Sequence, residues 1–416
     1  MAILRYGSGL SISLEIANGQ PLEQCGTPRG RPLDDPQAAV AYALRDPLDY
    51  PALAESTTPG DRVVLALGHA LPQTAQITSA VISSLVSAGV DPDGITVLQS
   101  QIDLESGADN PCRLLDEPLS ERIALLTHDP ADRRALAYLA AGESGEPILI
   151  SRAIHEADLV LPIGCLQRGS AAGYFGIHGC VFPRFSDQKT LARFHSASAL
   201  DERDSHRRRL AEAADHVAWL LGINFTIQLV PAAGDAIMHV LAGQSDSVRR
   251  RGRELYRAAW SNPVSQRASL VVAAVEGGAD QQTWENLGQA LAAAIPLVED
   301  GGAIAVCCEL AAGPGPALQQ MASARSRAAA LRHIEKQRPY DALPAALLAR
   351  AQEQGTVYLL SRLDPSLVEA LDMIPIAGGD ELARLSRQHS SCILLANAPH
   401  AMVTVESETT GRRHGD

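Results

Sequence analysis

Buried strands alternate with amphipathic helices along this 416-residue chain, and this pattern constrains its fold more than any other feature. Residues 62–67 (RVVLAL) are continuously apolar, which predicts a strand buried on both faces. Apolar residues then recur at helical spacing over residues 74–88, so we predict a helix with Thr74 as N-cap and Gly89 just beyond its end. Residues 95–98 (ITVL) predict a second strand, which completes a βαβ unit with parallel strands.

The same alternation continues to the end of the chain. Further strands are predicted over residues 159–163, 269–275, 303–308, 357–360 and 393–396. Further helices are predicted over residues 201–221, 245–260, 282–296 and 343–354. This order predicts the α/β class, with two doubly wound, Rossmann-like α/β domains and a ligand cleft between them. We expect a first domain over residues 1–250, a second over 251–405 and a polar tail over 406–416, with the arginine-rich helix near 245–260 as the linker.

Charge and hydropathy limit the classes of partner. The net charge is −13, and the most basic tract, residues 248–253 (VRRRGR), is best interpreted as the solvated side of a helix rather than a nucleic-acid site. No apolar run reaches the length of about 18 residues that a membrane span needs, and no signal-peptide pattern opens the sequence. We therefore expect a cytoplasmic protein with no membrane or nucleic-acid partner. Its oligomeric state is not readable from the sequence.

Lysine and cysteine usage restricts the available chemistry. Lys189 and Lys336 are the only two lysines in the chain, a bias typical of a GC-rich genome. Any reaction that needs a lysine amine is thus limited to those positions. The seven cysteines have neither a CxxC motif nor a paired metal-binding spacing, and Cys307 and Cys308 lie inside an apolar strand. Buried thiols that act as small apolar side chains are therefore expected.

The segment 157–195 carries the most distinctive pattern. An apolar strand (ADLVLPIG) is followed by a glycine- and alanine-rich loop (CLQRGSAAGYFGIHGCVFP) and then by FSDQKTLARFH. Three more segments follow a recognisable order: DRVVLALGHALPQTAQITSAVISSLVSAGVDPDGITVL over 61–98, THDP with GESGEPILISRAIHEADLVLPIG over 127–164, and VEGGADQQTWENLGQALAAAIPLVEDGGAIAVCCELAAGPG over 275–315. Together, these four segments resemble the LarA family, the nickel-dependent lactate racemases and related 2-hydroxyacid racemases and epimerases.

That resemblance implies a nickel-pincer nucleotide held covalently by a lysine of the loop. In this chain the aligned position is Gly179, so the tether is missing. The family's acidic TRP loop is replaced by residues 68–73 (GHALPQ), and its catalytic-histidine loop by residues 99–104 (QSQIDL). Its QxxK pair falls on Glu285 and Gly288, or on Asn286 and Gln289 with a one-residue shift, and neither pair contains a lysine.

Several residues remain candidates for a site of this kind. The resemblance places His195 at the nickel-ligating histidine, sixteen residues beyond the missing lysine. We predict His69 and His178 as acid–base residues. Arg168, Arg184, Gly173 and Tyr174 are predicted to bind the substrate, an arginine being suited to its carboxylate. Each histidine also has a structural interpretation, as a turn, loop or core residue.

Two functions stay open from the sequence. One is a diverged LarA-family protein without the covalent cofactor, which binds a small anionic metabolite and either performs other chemistry or has lost activity. The other is an active, nickel-dependent 2-hydroxyacid racemase or epimerase, that is, an isomerase. An NAD-dependent dehydrogenase is disfavoured, because no GxGxxG motif opens a helix after the first strand.

Overall fold

The computed structural model of the chain describes residues 2–14, 21–105, 108–142, 145–168, 175–200 and 205–406. The strands are β1 (Ala2–Tyr6), β2 (Leu10–Leu14), β3 (Leu22–Cys25), β4 (Val63–Leu67), β5 (Ile95–Ser100), β6 (Ala124–His128), β7 (Leu136–Ala141), β8 (Pro147–Ser151), β9 (Leu159–Cys165), β10 (Phe225–Pro231), β11 (Ile237–Gln244), β12 (Ser261–Val264), β13 (Ala268–Ala274), β14 (Val298–Cys307), β15 (Thr356–Leu360), β16 (Ile374–Pro375), β17 (Cys392–Leu395) and β18 (Met402–Val405). The α-helices are α1 (Pro36–Arg45), α2 (Thr74–Ser87), α3 (Gln101–Glu105), α4 (Glu117–Ser120), α5 (Arg152–His155), α6 (Gln188–Phe194), α7 (Ser205–Leu220), α8 (Ser245–Trp260), α9 (Trp284–Ala294), α10 (Pro316–Ser323), α11 (Arg327–Gln337), α12 (Ala342–Gln354), α13 (Pro365–Ala370) and α14 (Gly379–Arg387).

Two six-stranded sheets, each covered on both faces, confirm the predicted α/β fold. The first has the order β11-β10-β9-β4-β5-β6 and is parallel except for the β10–β11 pair. Along β4, Val63 and Leu65 pack into the core cluster that holds α1 and α2, whereas Val64 packs into the cluster that holds α7. Successive side chains of a strand point to opposite faces, so the apolar run of β4 fills two cores.

The second sheet is entirely parallel, with the order β16-β15-β14-β13-β17-β3. Helices α9 and α12 pack on one face, and the β1–β2 hairpin with α14 packs on the other. Strand β3 belongs to this sheet although it precedes every strand of the first sheet. The predicted linear division at residue 250 therefore differs from the observed topology.

The first domain is an insertion in the second. The chain leaves the second sheet after β3 and returns to it after α8, and the N–H of Arg29 donates to the carbonyl oxygen of Ala259 at 2.9 Å. The predicted linker helix is α8, whose Trp260 is fully buried and whose Val248 packs in the interior. It is therefore part of a core and not a solvated connection.

The predicted βαβ unit is present as β4, α2 and β5, with parallel pairs from Val63↔Ile95 to Ala66↔Leu98. Gly89, at φ 96°, lies beyond the helix as expected. The N-cap prediction was wrong: Gln73 precedes the helix at φ 53°, and the Thr74 hydroxyl donates to the carbonyl oxygen of Leu71 at 2.7 Å. Within the described ranges, every helix is too short or too polar to cross a bilayer.

Candidate functional site

A cavity of about 160 Å³ lies between the two domains, at the carboxyl ends of β4, β5 and β9. This edge is where open α/β sheets place their ligands, because the loops that follow parallel strands converge there. The first domain contributes His69, Arg184 and His195 to the lining, and the second contributes Glu285, Tyr340 and Asp341. Three of the residues predicted from the sequence therefore share one cleft.

His69 follows β4 directly and is held between two carboxylates. Its Nδ1 lies 3.0 Å from Oδ1 of Asp103, and its Nε2 lies 2.9 Å from Oε2 of Glu285. The contact to Glu285 is an ion pair in which Nε2 is not aligned to donate a hydrogen bond to the carboxylate. Burial alone would lower the pKa of His69, but Glu285 and Asp103 outweigh it and raise the pKa to about 10. The imidazole is therefore a fixed cation at neutral pH.

Asp103, in the short helix after β5, is shared between His69 and Arg184. The Arg184 guanidinium forms an ion pair with its second oxygen and donates from Nε to the carbonyl oxygen of Leu67 at 2.8 Å. Burial raises the pKa of the Asp103 carboxyl, but Arg184 and His69 more than offset this and lower it to about 2. The guanidinium also lies over the ring of Phe185, at 5.7 Å from its centre. Arg184 thus points into the cleft in one fixed orientation.

His195 immediately follows α6 and lines the cleft as a partly buried residue. Burial lowers the pKa of its imidazole to about 4, and the negative charge of Glu285 only partly opposes this shift. Its buried Nδ1 has no hydrogen-bond partner within the described part of the chain. The ring is therefore neutral at pH 7, with a nitrogen available to accept or donate one proton or to ligate a metal.

Glu285 lies in the first turn of α9, where the helix dipole favours a carboxylate. Burial raises its pKa, but the positive charge of His69 and the close contact with its ring prevail and lower the pKa below the ordinary value. Because His69 is on the first domain and Glu285 on the second, their ion pair joins the two domains across the cleft. A second contact across the cleft runs from Nε2 of Gln281 to the carbonyl oxygen of Ala70 at 3.2 Å.

The structure places the other predicted residues elsewhere. His178 does not line the cleft: its Nδ1 lies 2.7 Å from Oδ1 of Asp215 and its Nε2 lies 3.1 Å from the Ser245 hydroxyl. Arg168 does not line it either, and donates instead to the carbonyl oxygen of Ala292 at 3.0 Å. The prediction that both residues share the cleft with His69 is therefore corrected.

Gly173 and Tyr174, the remaining predicted substrate-binding residues, lie outside the described residues. Asp103 and Glu285 were not selected from the sequence, although both carry charges that define the cleft. Asp103 had one usable signal, because it comes shortly after the end of a buried parallel strand. Glu285 had its position in the first turn of a helix and one of the two alignments of the family's QxxK pair.

Metal-binding potential is limited within the described ranges. No three His, Cys, Asp or Glu side chains form a group there that suits a metal ion. Cys165 and Cys180 line the cleft, but burial raises the pKa of each thiol to about 12. Both are therefore protonated at neutral pH, and a thiol ligates metals far more weakly than a thiolate.

Two α/β domains around a cleft at the strand ends define a class of ligand-binding α/β protein. Residues 6–207 match the family model described as the lactate racemase N-terminal domain. These residues, just under half of the chain, resemble the lactate racemase (LarA) family, as the sequence pattern predicts.

Solved structures share the fold over most of the chain. The lactate racemase apoprotein from Thermoanaerobacterium thermosaccharolyticum has a TM-score of 0.74 and 16% sequence identity, over 97% of this chain and 99% of that one. A structural-genomics protein from Thermotoga maritima has a TM-score of 0.64 and 12% identity, over 90% and 100% of the two chains. No curated protein matches the sequence. At these identities the structures establish the common fold only.

Proposed function

We propose that this LarA-like protein binds a small anion of the 2-hydroxyacid class in the cleft between its domains, without a covalent nickel-pincer cofactor. The observation that carries the proposal is the charge arrangement of the cleft. His69 and Arg184 are cations held by Glu285 and Asp103, so an anionic ligand would bind by displacing one of these carboxylates, and the tether position is a glycine. A cavity of about 160 Å³ suits a small metabolite.

The residues present do not fit a tethered nickel-pincer nucleotide. Gly179 lines the cleft, and a Cβ built there would meet only the Cβ of Phe175, at 3.5 Å. Space for a side chain therefore exists, but the amine is missing. Lys189 and Lys336 are both exposed, and neither lines the cleft. The covalent attachment that the family resemblance implies thus has no candidate residue at the site.

A ligand carboxylate would compete with Glu285 for the positive charge of His69. Both groups are carboxylates, and Glu285 already occupies the position beside Nε2 at 2.9 Å. His195 is the group in the cleft that suits proton transfer, because its neutral ring has an open Nδ1. If the protein is an enzyme, the reaction we propose is racemisation or epimerisation of a 2-hydroxyacid. His195 would take the proton of the hydroxyl group, but the hydride of the Cα–H bond would need an acceptor that only a bound cofactor could supply, so this reaction belongs to the second candidate below. The cytoplasmic location and the absence of nucleic-acid and membrane partners remain predictions from the sequence.

An active nickel-dependent 2-hydroxyacid racemase or epimerase is the second candidate. One observation favours it: His195, which the family resemblance assigns as a nickel ligand, lies in the cleft as a neutral imidazole. A neutral imidazole is the form that binds nickel and related metals.

Expression with and without the cofactor-making enzymes of the family separates these candidates. For the proposed function, we expect the unmodified intact mass, no stoichiometric nickel, and saturable binding of lactate or malate by calorimetry. Replacement of Arg184 by Gln should weaken that binding at least about tenfold, since a charge-assisted contact contributes about 1.5–3 kcal/mol. Arg122→Gln is the matched control, because Arg122 pairs with Asp91 and Asp93 on the surface.

Two outcomes would overturn the proposed function. A covalent mass addition with bound nickel and racemisation would establish the second candidate instead. Equal binding by the Arg184→Gln and Arg122→Gln variants would remove the cleft as the anion site. Gly179→Lys supplies a positive control for the mass measurement, because the open space at position 179 admits a side chain.

A further inference from the structure

A second cavity, of about 330 Å³, lies between α7 and α8. Five arginines line it: Arg207, Arg208, Arg249, Arg253 and Arg257. We call this space the arginine cavity. Its density of positive charge is unusual in a chain whose net charge is −13. The proposed function does not use these residues, so any role of the arginine cavity is independent of it.

Helix geometry explains how the cationic side chains converge. Arg249, Arg253 and Arg257 follow one another at four-residue intervals on α8, so they form one stripe along the helix. The first two turns of α7 supply Arg207 and Arg208, close to the positive end of that helix dipole. The basic tract that the sequence presents as a solvated helix face therefore divides between two surfaces. Arg253 faces the cavity, whereas Arg251 pairs with Glu254 on the outside at 3.2 Å.

Among the described residues, at least two of these arginines lack a carboxylate partner. Asp215 is the acidic residue among the described lining residues, and its two oxygens accept from Arg249 at 2.8 and 2.9 Å. Arg253 and Arg257 are exposed, and no ion pair is found for either within the described ranges. Like charges four residues apart on a helix repel each other, so the stripe is destabilising without a counter-ion.

His178 fixes one wall of the arginine cavity. Its buried ring bridges Asp215 and Ser245 at 2.7 and 3.1 Å, and thereby joins α7 to the start of α8. Burial raises the pKa of Asp215, but the hydrogen bonds from His178 and Arg249 prevail and lower it. Asp215 therefore stays ionised and holds the Arg249 guanidinium in place. His178 acts here as a positioning residue, which accounts for its position outside the cleft.

We propose that the arginine cavity binds the phosphoryl group of a small phosphorylated metabolite, with Arg253 and Arg257 as its main contacts. A phosphoryl dianion supplies the missing negative charge, and its oxygens match the planar donor fork of guanidinium groups. The concave shape and the volume of about 330 Å³ suit a metabolite and not a nucleic-acid strand. Gln167, Phe175 and Gly176 line both cavities, so the rest of such a ligand would lie beside the interdomain cleft.

Titration calorimetry of the full chain with inorganic phosphate and with ribose 5-phosphate tests the proposal. We expect saturable binding of both probes to the wild type, weakened by added salt because the contacts are ionic. Arg253→Gln and Arg257→Gln should each weaken binding about tenfold or more, which corresponds to about 1.4 kcal/mol or more. Both side chains are exposed, so the variants should keep the wild-type midpoint in thermal unfolding.

Arg251→Gln is the matched control, because it removes the same charge from the outer face of the same helix. It should bind both probes as the wild type does. Equal weakening by Arg251→Gln and Arg253→Gln would show only a general effect of charge, and would overturn the proposal. The absence of saturable binding of either probe to the wild type would overturn it as well. Tighter binding of ribose 5-phosphate than of phosphate would assign an organic phosphate as the ligand, and equal binding would assign the phosphoryl group alone.

Discussion

His69 is the residue whose charge depends most on the tertiary structure. Its partners Asp103 and Glu285 lie 34 and 216 positions further along the chain, counted as 103 − 69 and 285 − 69. The pKa of about 10 therefore exists only in the folded protein with the cleft closed. In the unfolded chain the imidazole returns to its ordinary value of 6.5. This difference couples protonation of one side chain to folding.

We predict that the free energy of unfolding decreases as the pH rises from 6.5 to about 10. The folded state binds the His69 proton more tightly than the unfolded state, so its stabilisation is complete below pH 6.5 and is lost through pH 10. Tyrosines and other histidines titrate at the two ends of this window, so the difference between the wild type and a His69 variant isolates the contribution of His69. Urea denaturation of the wild type and of His69→Asn across this range is the measurement, and the variant should show a smaller slope.

Glu285→Gln provides the control for that prediction. It keeps the His69 imidazole but removes the carboxylate that raises its pKa most, so the loss of stability should still begin near pH 6.5 but should be smaller and complete at a lower pH than in the wild type. Identical slopes for the wild type and His69→Asn would contradict the assignment of the alkaline effect to this residue.

The sequence identifies single residues better than their partners. His69, Arg184 and His195 are marked by their positions after a strand, within the glycine-rich segment and at a fixed spacing from the missing lysine. The pairing of His69 and Arg184 with Asp103 depends on the tertiary structure of the first domain, and the pairing of His69 with Glu285 depends on how the two domains meet; local sequence patterns encode neither. For the same reason, the sequence assigns His178 to the cleft, although it lies between α7 and α8 in the structure.

At the scale of elements, apolar periodicity predicts the regular parts of the fold closely. The helix expected over 74–88 is observed as Thr74–Ser87, and the one expected over 245–260 is observed as Ser245–Trp260. The hairpins β1–β2 and β7–β8 are not predicted. Strand β2 (LSISL) does alternate apolar and polar residues, and β7 (LAYLAA) is an apolar run. Both patterns are only five or six residues long, which is too short to distinguish a strand from a buried helix or loop segment by periodicity alone.

The turn after β3 depends on Gly26. Its φ is 84°, and a Cβ there would lie 1.8 Å from the carbonyl oxygen of Ala396. We therefore predict that Gly26→Ala lowers the free energy of unfolding by about 3 kcal/mol or more, because both the backbone conformation and a backbone contact oppose the methyl group. Urea denaturation of the purified variant measures this loss.

Gly60→Ala isolates the two contributions. Gly60 has a similar φ of 96°, but nothing lies within 4 Å of its Cβ position. Its variant should lose only about 1–2 kcal/mol, the cost of the left-handed conformation alone. Equal losses in the two variants would show that the close approach to Ala396 relaxes without cost.

For the whole molecule, the insertion of one domain in the other predicts which parts of the chain can fold without the rest. Residues 1–29 and 259–406 should fold together when a short glycine linker replaces residues 30–258, because Arg29 and Ala259 are hydrogen-bonded neighbours. Residues 259–406 alone lack β3 and the β1–β2 hairpin that covers an apolar face through Leu4, Ile12 and Leu14. We expect cooperative urea unfolding, followed by circular dichroism, only for the joined protein.

Cooperative unfolding of residues 259–406 alone, with the same midpoint as the joined protein, would contradict this prediction. It would mean that the β3–β17 pairing contributes nothing measurable to the second domain. A linear division at residue 250, as the sequence predicts, would lead to that result. The sequence could not indicate the insertion, because a four-residue strand such as β3 carries no signal for its partner.

The pairing of β3 with β17 also has a consequence for biosynthesis. Leu22 leaves the ribosome early, whereas its sheet partner Cys392 is 370 positions later, counted as 392 − 22. The inserted domain can fold while translation continues, but the second sheet cannot close its edge until β17 has emerged. Such long-range closure is slow, and the nascent N-terminal hairpin stays without its docking surface throughout. We therefore expect the inserted domain to fold first, and the second domain, which is built from residues before and after the insertion, to fold last.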